Sequence, residues 1–201
     1  MNGFIIVNLL DLLNQYGDEY VKNILSDFSC PVNKDVENFL LVKAIEFARQ
    51  GYSQTHLVFA SYKDKPVLVG YFTLANKYIA IKSSSRVISK NMQRRLSKFG
   101  HYNEETKSYY ISALLIGQLG KNKNYVNLIT GSELLRLACE TVKEVQNIVG
   151  GKFVYLECED KERLKEFYKT NGFYDFGQRQ LDRDELDDFC GTYLIQMLKY
   201  L

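Results

Sequence analysis

The sequence predicts a mixed α/β fold, in which helices pack on a central sheet. Hydrophobic residues switch between helical and strand-like spacing several times along the 201 residues. Residues 109–119 form a nearly continuous apolar run, which is typical of a central strand covered on both faces. The chain has two prolines and no Gly/Ser-rich linker, so we expect one domain over residues 1–201.

The first quarter of the chain is predicted to be largely helical. Residues 4–7 are a short apolar run typical of an edge strand, and residues 9–28 form a helix interrupted near Gly17. A further helix starts at Asn33, whose side chain can cap the first N–H groups, and it ends at Gly51.

The next segment changes to strand periodicity. Residues 57–62 and 67–75 are rich in Val, Phe and Tyr, and the sequence Lys63-Asp64-Lys65-Pro66 between them is typical of a turn, so we predict a hairpin. Residues 78–81 follow as a further strand. Residues 89–99 are predicted to form a helix with an apolar side made by Ile88, Met92, Leu96 and Phe99.

The second half alternates strands with helices. After the central strand, residues 131–149 are predicted as a helix whose apolar stripe extends to Val149. Residues 153–158 form a strand, and Asp160 caps a helix that runs to Lys169 and stops at Gly172. Residues 193–200 form the last strand.

Composition excludes several protein classes. With 46% hydrophobic residues, 25% charged residues and a net charge of +2, the chain is neither disordered, nor a collagen-like fibre, nor a polycation. The longest charge-free apolar stretch, residues 108–120, is shorter than the roughly 20 residues of a membrane-spanning helix. The N-terminus has no basic residue before Lys22, unlike a signal peptide. We therefore expect a cytoplasmic protein without a membrane partner.

Cysteine and histidine usage indicates neither a disulfide framework nor a metal site. None of the four cysteines forms a CxxC pair, and both histidines lie far from any cysteine. Cys139 and Cys158 are interpreted as core thiols, and His56 as a strand residue rather than a base. We expect reduced thiols and no metal.

A strand, a loop and a helix follow one another between residues 109 and 149. The N–H groups at the start of a helix can hold a phosphate, and Lys121 in the loop would add positive charge. A strand–loop–helix with one glycine, here Gly131, is also common in proteins that bind no phosphate there. Both interpretations stay open on these residues alone.

Three segments together carry a resemblance to a known family. The first segment, QLGKNKNYVNLITGSELLRLA, is similar to a unit made of a strand, a loop of pattern Q/R-x-x-G-x-G/A and a helix. Gly131 stands at the second glycine of this pattern. Val126 stands at the Q/R position and Ile129 at the first glycine. EFYKTNGF resembles the signature FYxxxGF, and residues 28–75 resemble the opening of a bacterial branch that includes toxin enzymes. Over roughly residues 28–200 the chain thus resembles the GNAT N-acetyltransferases.

The resemblance implies a GNAT-like mixed, mostly antiparallel twisted sheet flanked by helices. It also implies an acetyl-CoA-dependent N-acetyltransferase that moves an acetyl group directly onto an amine, with acetyl-CoA as co-substrate and no metal. The end of the central strand would bind the pantetheine arm and polarise the thioester carbonyl, and the loop and helix start would bind the phosphates. The residues implied are Gln118, Leu119, Gly120, Lys121, Ile129, Thr130, Gly131 and Ser132.

The resemblance also implies a general acid, and a strand end next to the expected cleft offers a candidate base. The tyrosine of FYxxxGF, here Tyr168, is the usual general acid, and a phenol with a pKa of about 10 can protonate a leaving thiolate. Glu157, which shares a strand end with Glu159, is the candidate base acting through water. The alternatives are a core aromatic for Tyr168, a solvated strand end for the two glutamates and a helix cap for Ser132.

Charge is unevenly distributed and points to an acceptor surface. Residues 65–103 contain eight basic residues and no acidic one, whereas the rest of the chain has 18 basic and 24 acidic residues. Arg94 and Arg95 in this segment are predicted to bind the substrate, which is an amine-bearing acceptor of undisclosed identity, with tRNA as one candidate. The alternative is a solvated helix face.

Two other functions remain open on the sequence. One is a non-catalytic RNA- or protein-binding module on a GNAT fold with a degenerate cofactor loop. The other is a toxin-type acetyltransferase of aminoacyl-tRNA. The sequence also leaves open whether the chain forms a homodimer.

Overall fold

A computed structural model describes residues 3–85, 88–181 and 192–201 of the chain. Within these ranges the strands are β1 (Ile5–Asn8), β2 (Gln54–Tyr62), β3 (Lys65–Lys82), β4 (His101–Asn103), β5 (Ser108–Lys121), β6 (Phe153–Glu159), β7 (Tyr174–Gln180) and β8 (Tyr193–Tyr200). The α-helices are α1 (Leu9–Tyr16), α2 (Asp18–Leu25), α3 (Lys34–Asn38), α4 (Ala44–Gln50), α5 (Lys90–Phe99), α6 (Gly131–Val149) and α7 (Glu162–Thr170). A π-helical segment, Phe39–Lys43, joins α3 to α4, and Lys123–Tyr125 form a 3-10 turn.

The described strands form one mixed sheet in the order β1-β2-β3-β5-β6-β8-β7, with β4 added to β5. The pairs β1–β2, β2–β3, β4–β5, β6–β8 and β7–β8 are antiparallel. The pair β5–β6 is parallel, with Leu114 opposite Val154 and Leu115 opposite Tyr155. This mixed, mostly antiparallel sheet with helices confirms the fold class predicted from the sequence.

The chain divides into two compact units. Unit 1 comprises residues 1–75 and 116–138, and unit 2 comprises residues 76–115 and 139–201. The elements β3, β5 and α6 each run from one unit into the other. The single domain predicted for residues 1–201 stays a prediction.

Unit 1 has a core between its helices and strands β2 and β3. Burial of apolar side chains is the main favourable contribution to such a core. Tyr71 is fully buried, and its hydroxyl donates to the Val36 carbonyl at 2.6 Å. The core residues are Leu9, Leu13, Val21, Leu25, Phe28, Cys30, Val36, Phe39, Leu40, Ala44, Ala48, Leu57, Leu68 and Tyr71.

Unit 2 has a second core beneath α5. Ser89 caps this helix, since its hydroxyl accepts the Met92 N–H at 3.2 Å. The buried face of α5 packs with side chains of the strands around it. The core residues are Ile79, Ile81, Ile88, Met92, Leu96, Ile111, Ala113, Phe153, Tyr155, Phe176 and Leu198.

Several local predictions are confirmed by the structure. Asn33 caps α3 by accepting the Val36 N–H at 3.3 Å, and Gly51 ends α4 in the left-handed conformation at φ 73°. The hairpin of β2 and β3 is present, but its turn is shorter than predicted. Lys63 and Asp64 alone form it, with φ of 50° and 60°, as a two-residue hairpin turn requires.

Other boundaries differ from the prediction. β3 continues to Lys82, so the two strands predicted at residues 67–75 and 78–81 are one strand. The polar residues after Ala75 do not end it. The sequence does not predict β7. Among the described strands it pairs only with β8, and such an edge strand needs no alternating apolar pattern. The predicted cap Asp160 is wrong, since Lys161 is the N-cap and the Asp160 carboxylate instead pairs with Lys165 at 2.7 Å.

The predicted apolar faces are also shorter than expected. Phe99 is 44% exposed and Val149 is 71% exposed, so both helices lose their buried face at the last turn. No helix within the described ranges is long and apolar enough to cross a membrane.

Candidate active site

The end of β5 contains the three residues predicted to hold the pantetheine arm. The Gln118 N–H donates to the Thr73 hydroxyl on β3 at 2.8 Å, and the Asn122 N–H donates to the Val69 carbonyl at 2.9 Å. Backbone groups of successive strand residues point to opposite edges. The N–H and C=O of Leu119 are therefore directed away from β3, where a ligand could contact them.

Gly120 occupies a position where no side chain fits. An added Cβ would lie 2.5 Å from Val36 Cγ1, 2.9 Å from Tyr71 Cε1 and 3.1 Å from Phe28 Cζ. All three side chains are buried and cannot retreat into solvent. Gly120 thus allows α3 to pack directly on β5, a role that the sequence does not predict.

A buried asparagine, Asn122, ties the loop after β5 to two other segments of unit 1. Its Nδ2 donates to the carbonyls of Asp27 at 2.9 Å and Leu68 at 2.8 Å. Its Oδ1 accepts the N–H groups of Ser29 and Asn124, both at 3.1 Å. The side chain is fully buried, and these bonds use both donors and both lone pairs of the amide. No hydrophobic pattern in the loop indicates this burial.

The start of α6 carries a capping box. The Thr130 N–H donates to Glu133 Oε2 at 2.8 Å, and the Glu133 N–H donates to the Thr130 hydroxyl at 3.1 Å. The hydroxyl and the backbone N–H of Thr130 lower the pKa of Glu133 below its ordinary value. Both polar groups of Thr130 are therefore already used within the chain, and a phosphate would compete with the Glu133 carboxylate for them.

The first two residues of α6 are better suited to bind an anion than Thr130 is. Gly131 and Ser132 are the first residues of a 19-residue helix, whose start carries a partial positive charge. The cations of Lys121 and Arg136 lie close enough to the Glu133 carboxylate to help lower its pKa. They offset the negative charge that this carboxylate brings to the helix start.

Two of the predicted loop residues have structural contacts of their own. The Lys121 ammonium donates to the Val126 carbonyl at 3.1 Å, which closes the loop on itself. Ile129 has its side chain buried at 1% exposure, so only its backbone could reach a ligand.

Tyr168 lies on α7 in unit 2, with its ring centroid 5.0 Å from that of Phe167 and 6.0 Å from that of Phe173. Burial raises the pKa of Tyr168 above its ordinary value, and the Cys158 thiol raises it further. No described residue hydrogen-bonds to the Tyr168 hydroxyl. A phenol that stays protonated and is not bonded to a protein acceptor is suited to donate a proton.

The FYxxxGF segment ends in a turn that holds Tyr168 in place. The Phe173 N–H donates to the Tyr168 carbonyl at 3.0 Å, and Gly172 has φ of 83°. The Lys199 ammonium donates to the Asn171 carbonyl at 2.8 Å, next to this turn. The glycine of the signature is therefore required by the backbone conformation.

Glu157 is held by three side chains of unit 2. Arg179 Nε donates to both Glu157 oxygens at 3.0 and 2.9 Å, and the two side chains form an ion pair at 2.8 Å. The Tyr155 hydroxyl and Gln196 Nε2 also donate to Glu157 Oε1, at 2.9 and 3.1 Å. These contacts join β6, β7 and β8 through the Glu157 carboxylate. The base assignment for Glu157 stays a prediction.

Arg94 and Arg95 are both exposed on α5. The Arg95 guanidinium lies 4.2 Å from the ring centroid of Tyr200, where a cation–π contact holds it. Arg95 also borders a cavity of about 420 Å³ whose other lining residues are Ile88, Ser89, Asn91, Met92, Tyr174, Phe176 and Leu198. The predicted substrate contacts of both arginines stay a prediction.

The predicted site residues thus fall into two sets. Those for the co-substrate, from Gln118 to Ser132, belong to unit 1 and lie at the end of β5, in the loop after it and at the start of α6. Tyr168, Glu157, Arg94 and Arg95 belong to unit 2. Within the described part of the chain, no three His, Cys, Asp or Glu side chains are grouped as metal ligands.

Comparison with known proteins gives matches among solved structures. No protein-family model and no curated protein matches the sequence. The toxin AtaT complexed with acetyl-methionyl-tRNAfMet matches with a TM-score of 0.63 at 16% identity, over 96% of this chain and 94% of that one. A tyrosine-to-phenylalanine mutant of KacT matches with a TM-score of 0.62 at 15% identity, over 98% and 94%.

A third match is an AtaT mutant toxin bound to the C-terminus of the antitoxin AtaR and acetyl-CoA. Its TM-score is 0.57 at 14% identity, over 98% of this chain and 92% of that one. The chain has the fold of these toxins. The mixed, mostly antiparallel sheet flanked by helices, which the strand, loop and FYxxxGF segments predict, is thereby confirmed.

Proposed function

We propose that the chain is an acetyl-CoA-dependent N-acetyltransferase that transfers the acetyl group directly to an amine. The observation that carries this proposal is the fold, which is shared over nearly the whole chain with a toxin bound to acetyl-CoA. The unit 1 residues add a strand edge at Leu119 and a helix start at Gly131 that fit the pantetheine arm and the phosphates.

In the proposed reaction, the lone pair of a neutral amine attacks the carbonyl carbon of the thioester. The negative charge on the carbonyl oxygen is stabilised by backbone N–H groups of β5, including that of Leu119. These groups lie on the edge of β5 that faces away from β3. The C–N bond forms and the C–S bond breaks, and the sulfur leaves with the electron pair. The sulfur takes its proton from the Tyr168 hydroxyl, and the nitrogen loses its extra proton to water. Water then returns a proton to the Tyr168 phenolate, which restores the acid.

The acceptor that we propose is the amino group of an aminoacyl-tRNA. AtaT is found with acetyl-methionyl-tRNAfMet, in which that group carries the acetyl. The basic residues between positions 65 and 103, including the exposed Arg94 and Arg95, supply positive charge for a phosphate backbone. A non-catalytic binding module is the competing function, and it differs in having no affinity for acetyl-CoA.

Radiolabelled acetyl-CoA and a mixture of aminoacyl-tRNAs test the proposal directly. We expect label in the tRNA fraction, and none with deacylated tRNA, which lacks the amine. Absence of transfer together with no thermal shift at millimolar acetyl-CoA would overturn the enzyme assignment in favour of a binding module.

The same assay tests the role of Tyr168. Tyr168→Phe keeps the ring packing against Phe167 and Phe173 but removes the proton donor, so we expect kcat to fall by roughly 10²-fold or more. The affinity for acetyl-CoA, measured by calorimetry, should stay at the wild-type value. Tyr174→Phe, at an exposed tyrosine just beyond the signature, is the matched control. Wild-type turnover in Tyr168→Phe would remove Tyr168 from the acid role.

A further inference from the structure

A carboxylate and an amide meet at the end of β5. Gln118 Nε2 donates to Asp35 Oδ2 at 2.9 Å, which links β5 to the first turn of α3. A carboxylate only accepts hydrogen bonds, so this contact fixes the orientation of the Gln118 amide. The outward atoms of the pair are therefore Asp35 Oδ1 and Gln118 Oε1, and both are acceptors.

Within the described residues, neither outward oxygen has a donor. Glu37, two residues beyond Asp35, differs in this respect, because its Oε2 accepts the Cys30 N–H at 2.7 Å. Both Asp35 and Gln118 are half-buried, so a ligand from solvent can reach them. If the pair only tethered α3 to β5, the one hydrogen bond already present would be enough. The pair also has two unfilled acceptors and one negative charge, and these match a cation that carries N–H donors.

The backbone around the pair is held firmly. The Tyr71 hydroxyl donates to the carbonyl of Val36, the residue after Asp35, and the Val36 side chain packs where Gly120 has no Cβ. The buried Tyr71 phenol is also close enough to Asp35 for the carboxylate to help raise the pKa of the phenol. These contacts hold the backbone at Asp35 beside the end of β5.

We propose that Asp35 and Gln118 bind the amino group of the acceptor. The site would take a primary ammonium, whose three N–H donors can reach both outward oxygens while its charge pairs with the carboxylate. After the ammonium gives one proton to water, the neutral amine keeps two N–H donors for the same oxygens and has a lone pair for attack. This inference rests on the proposed function, since Gln118 belongs to the strand end assigned to the acetyl group.

Asp35→Asn removes the charge and keeps the shape of the side chain. With the aminoacyl-tRNA mixture as probe, we expect KM to rise about tenfold, as the loss of a charge-assisted hydrogen bond predicts, and kcat to change less. The affinity for acetyl-CoA should be unchanged. Asp35→Glu should restore part of the lost affinity. Glu46→Gln, at an exposed carboxylate on α4, is the matched control and should behave as wild type.

A second measurement separates recognition of the amine from recognition of the tRNA. Aminoacyl-tRNA in which the amino group is replaced by hydroxyl should inhibit wild type and Asp35→Asn with the same Ki, because the cation is gone. An unchanged KM in Asp35→Asn, or a Ki that rises as much as KM does, would overturn the ammonium site. If Asp35→Asn does not fold, Gln118→Met, which removes one acceptor at similar volume, decides by the same criteria. Wild-type chain that transfers no acetyl group would refute the proposed function and, with it, this inference.

Discussion

Asn122→Ala tests whether one buried amide holds the loop between β5 and α6. The substitution removes four hydrogen bonds, but the Asp27 carbonyl keeps a donor, because Asn124 Nδ2 also reaches it at 2.8 Å. Three groups lose their partner: the N–H groups of Ser29 and Asn124 and the carbonyl of Leu68. At about 1 kcal/mol for each partly solvated N–H and more for the buried carbonyl, we expect a loss of about 3 kcal/mol of unfolding free energy.

For a chain of this length, that loss lowers the melting temperature by about 6–12 °C. Far-UV circular dichroism is the suitable probe, since the chain has no tryptophan to report by fluorescence. Asn124→Ala removes an exposed side-chain bond to the same carbonyl, and we expect about 0.5 kcal/mol from it. Equal and small shifts for the two variants would refute the structural role assigned to Asn122.

An isosteric variant sharpens the test. Asn122→Asp keeps the volume but turns two donors into an acceptor that faces the carbonyls of Asp27 and Leu68. We expect it to be at least as destabilised at pH 7 as Asn122→Ala, because a buried carboxylate would lie against two carbonyl oxygens. Wild-type stability in Asn122→Asp would contradict the orientation of the amide.

Two further predictions concern charge. Burial lowers the pKa of His56 from 6.5 to about 4, so the unfolded chain binds the proton more readily between these values. Stability should then fall by up to about 3 kcal/mol as the pH drops from 6.5 to 4. Urea unfolding across this pH range should show a smaller loss of stability in His56→Gln and the wild-type loss in the exposed His101→Gln. Neutralising Arg94 and Arg95 with glutamine should raise KM for aminoacyl-tRNA and reduce the slope of log affinity against log salt by about 2, and exposed Lys143→Gln should leave the slope as in wild type.

The elements with strong hydrophobic periodicity or clear caps could be predicted from the sequence. The helix started by Asn33 and stopped by Gly51 is an example, because each end is determined by one local residue. β7 could not be predicted in this way. It reads Tyr-Asp-Phe-Gly-Gln-Arg-Gln and pairs along one edge with β8, so its strand conformation comes from that pairing and not from its own pattern.

The candidate site shows the same limit at the level of side chains. Tyr168 could be proposed as the acid because a sequence signature surrounds it. Asp35 could be assigned only to the first turn of a helix, where an acidic residue is expected for its interaction with the helix dipole. Its contact with Gln118, 83 positions later, depends on how α3 packs on β5, which no local pattern encodes.

The proposed assignments give amine binding and proton donation to different side chains, and this has a kinetic consequence. Asp35 and Gln118 are assigned to the amine, whereas Tyr168 is assigned to the leaving sulfur. Residues that bind the amine act on the ground state and the transition state alike, so changes at Asp35 should appear mainly in KM. The proton of Tyr168 is needed only as the C–S bond breaks, so its removal should appear in kcat. A double variant, Asp35→Asn with Tyr168→Phe, should therefore combine the two effects nearly additively in kcat/KM, because the side chains act on different steps and do not share a partner.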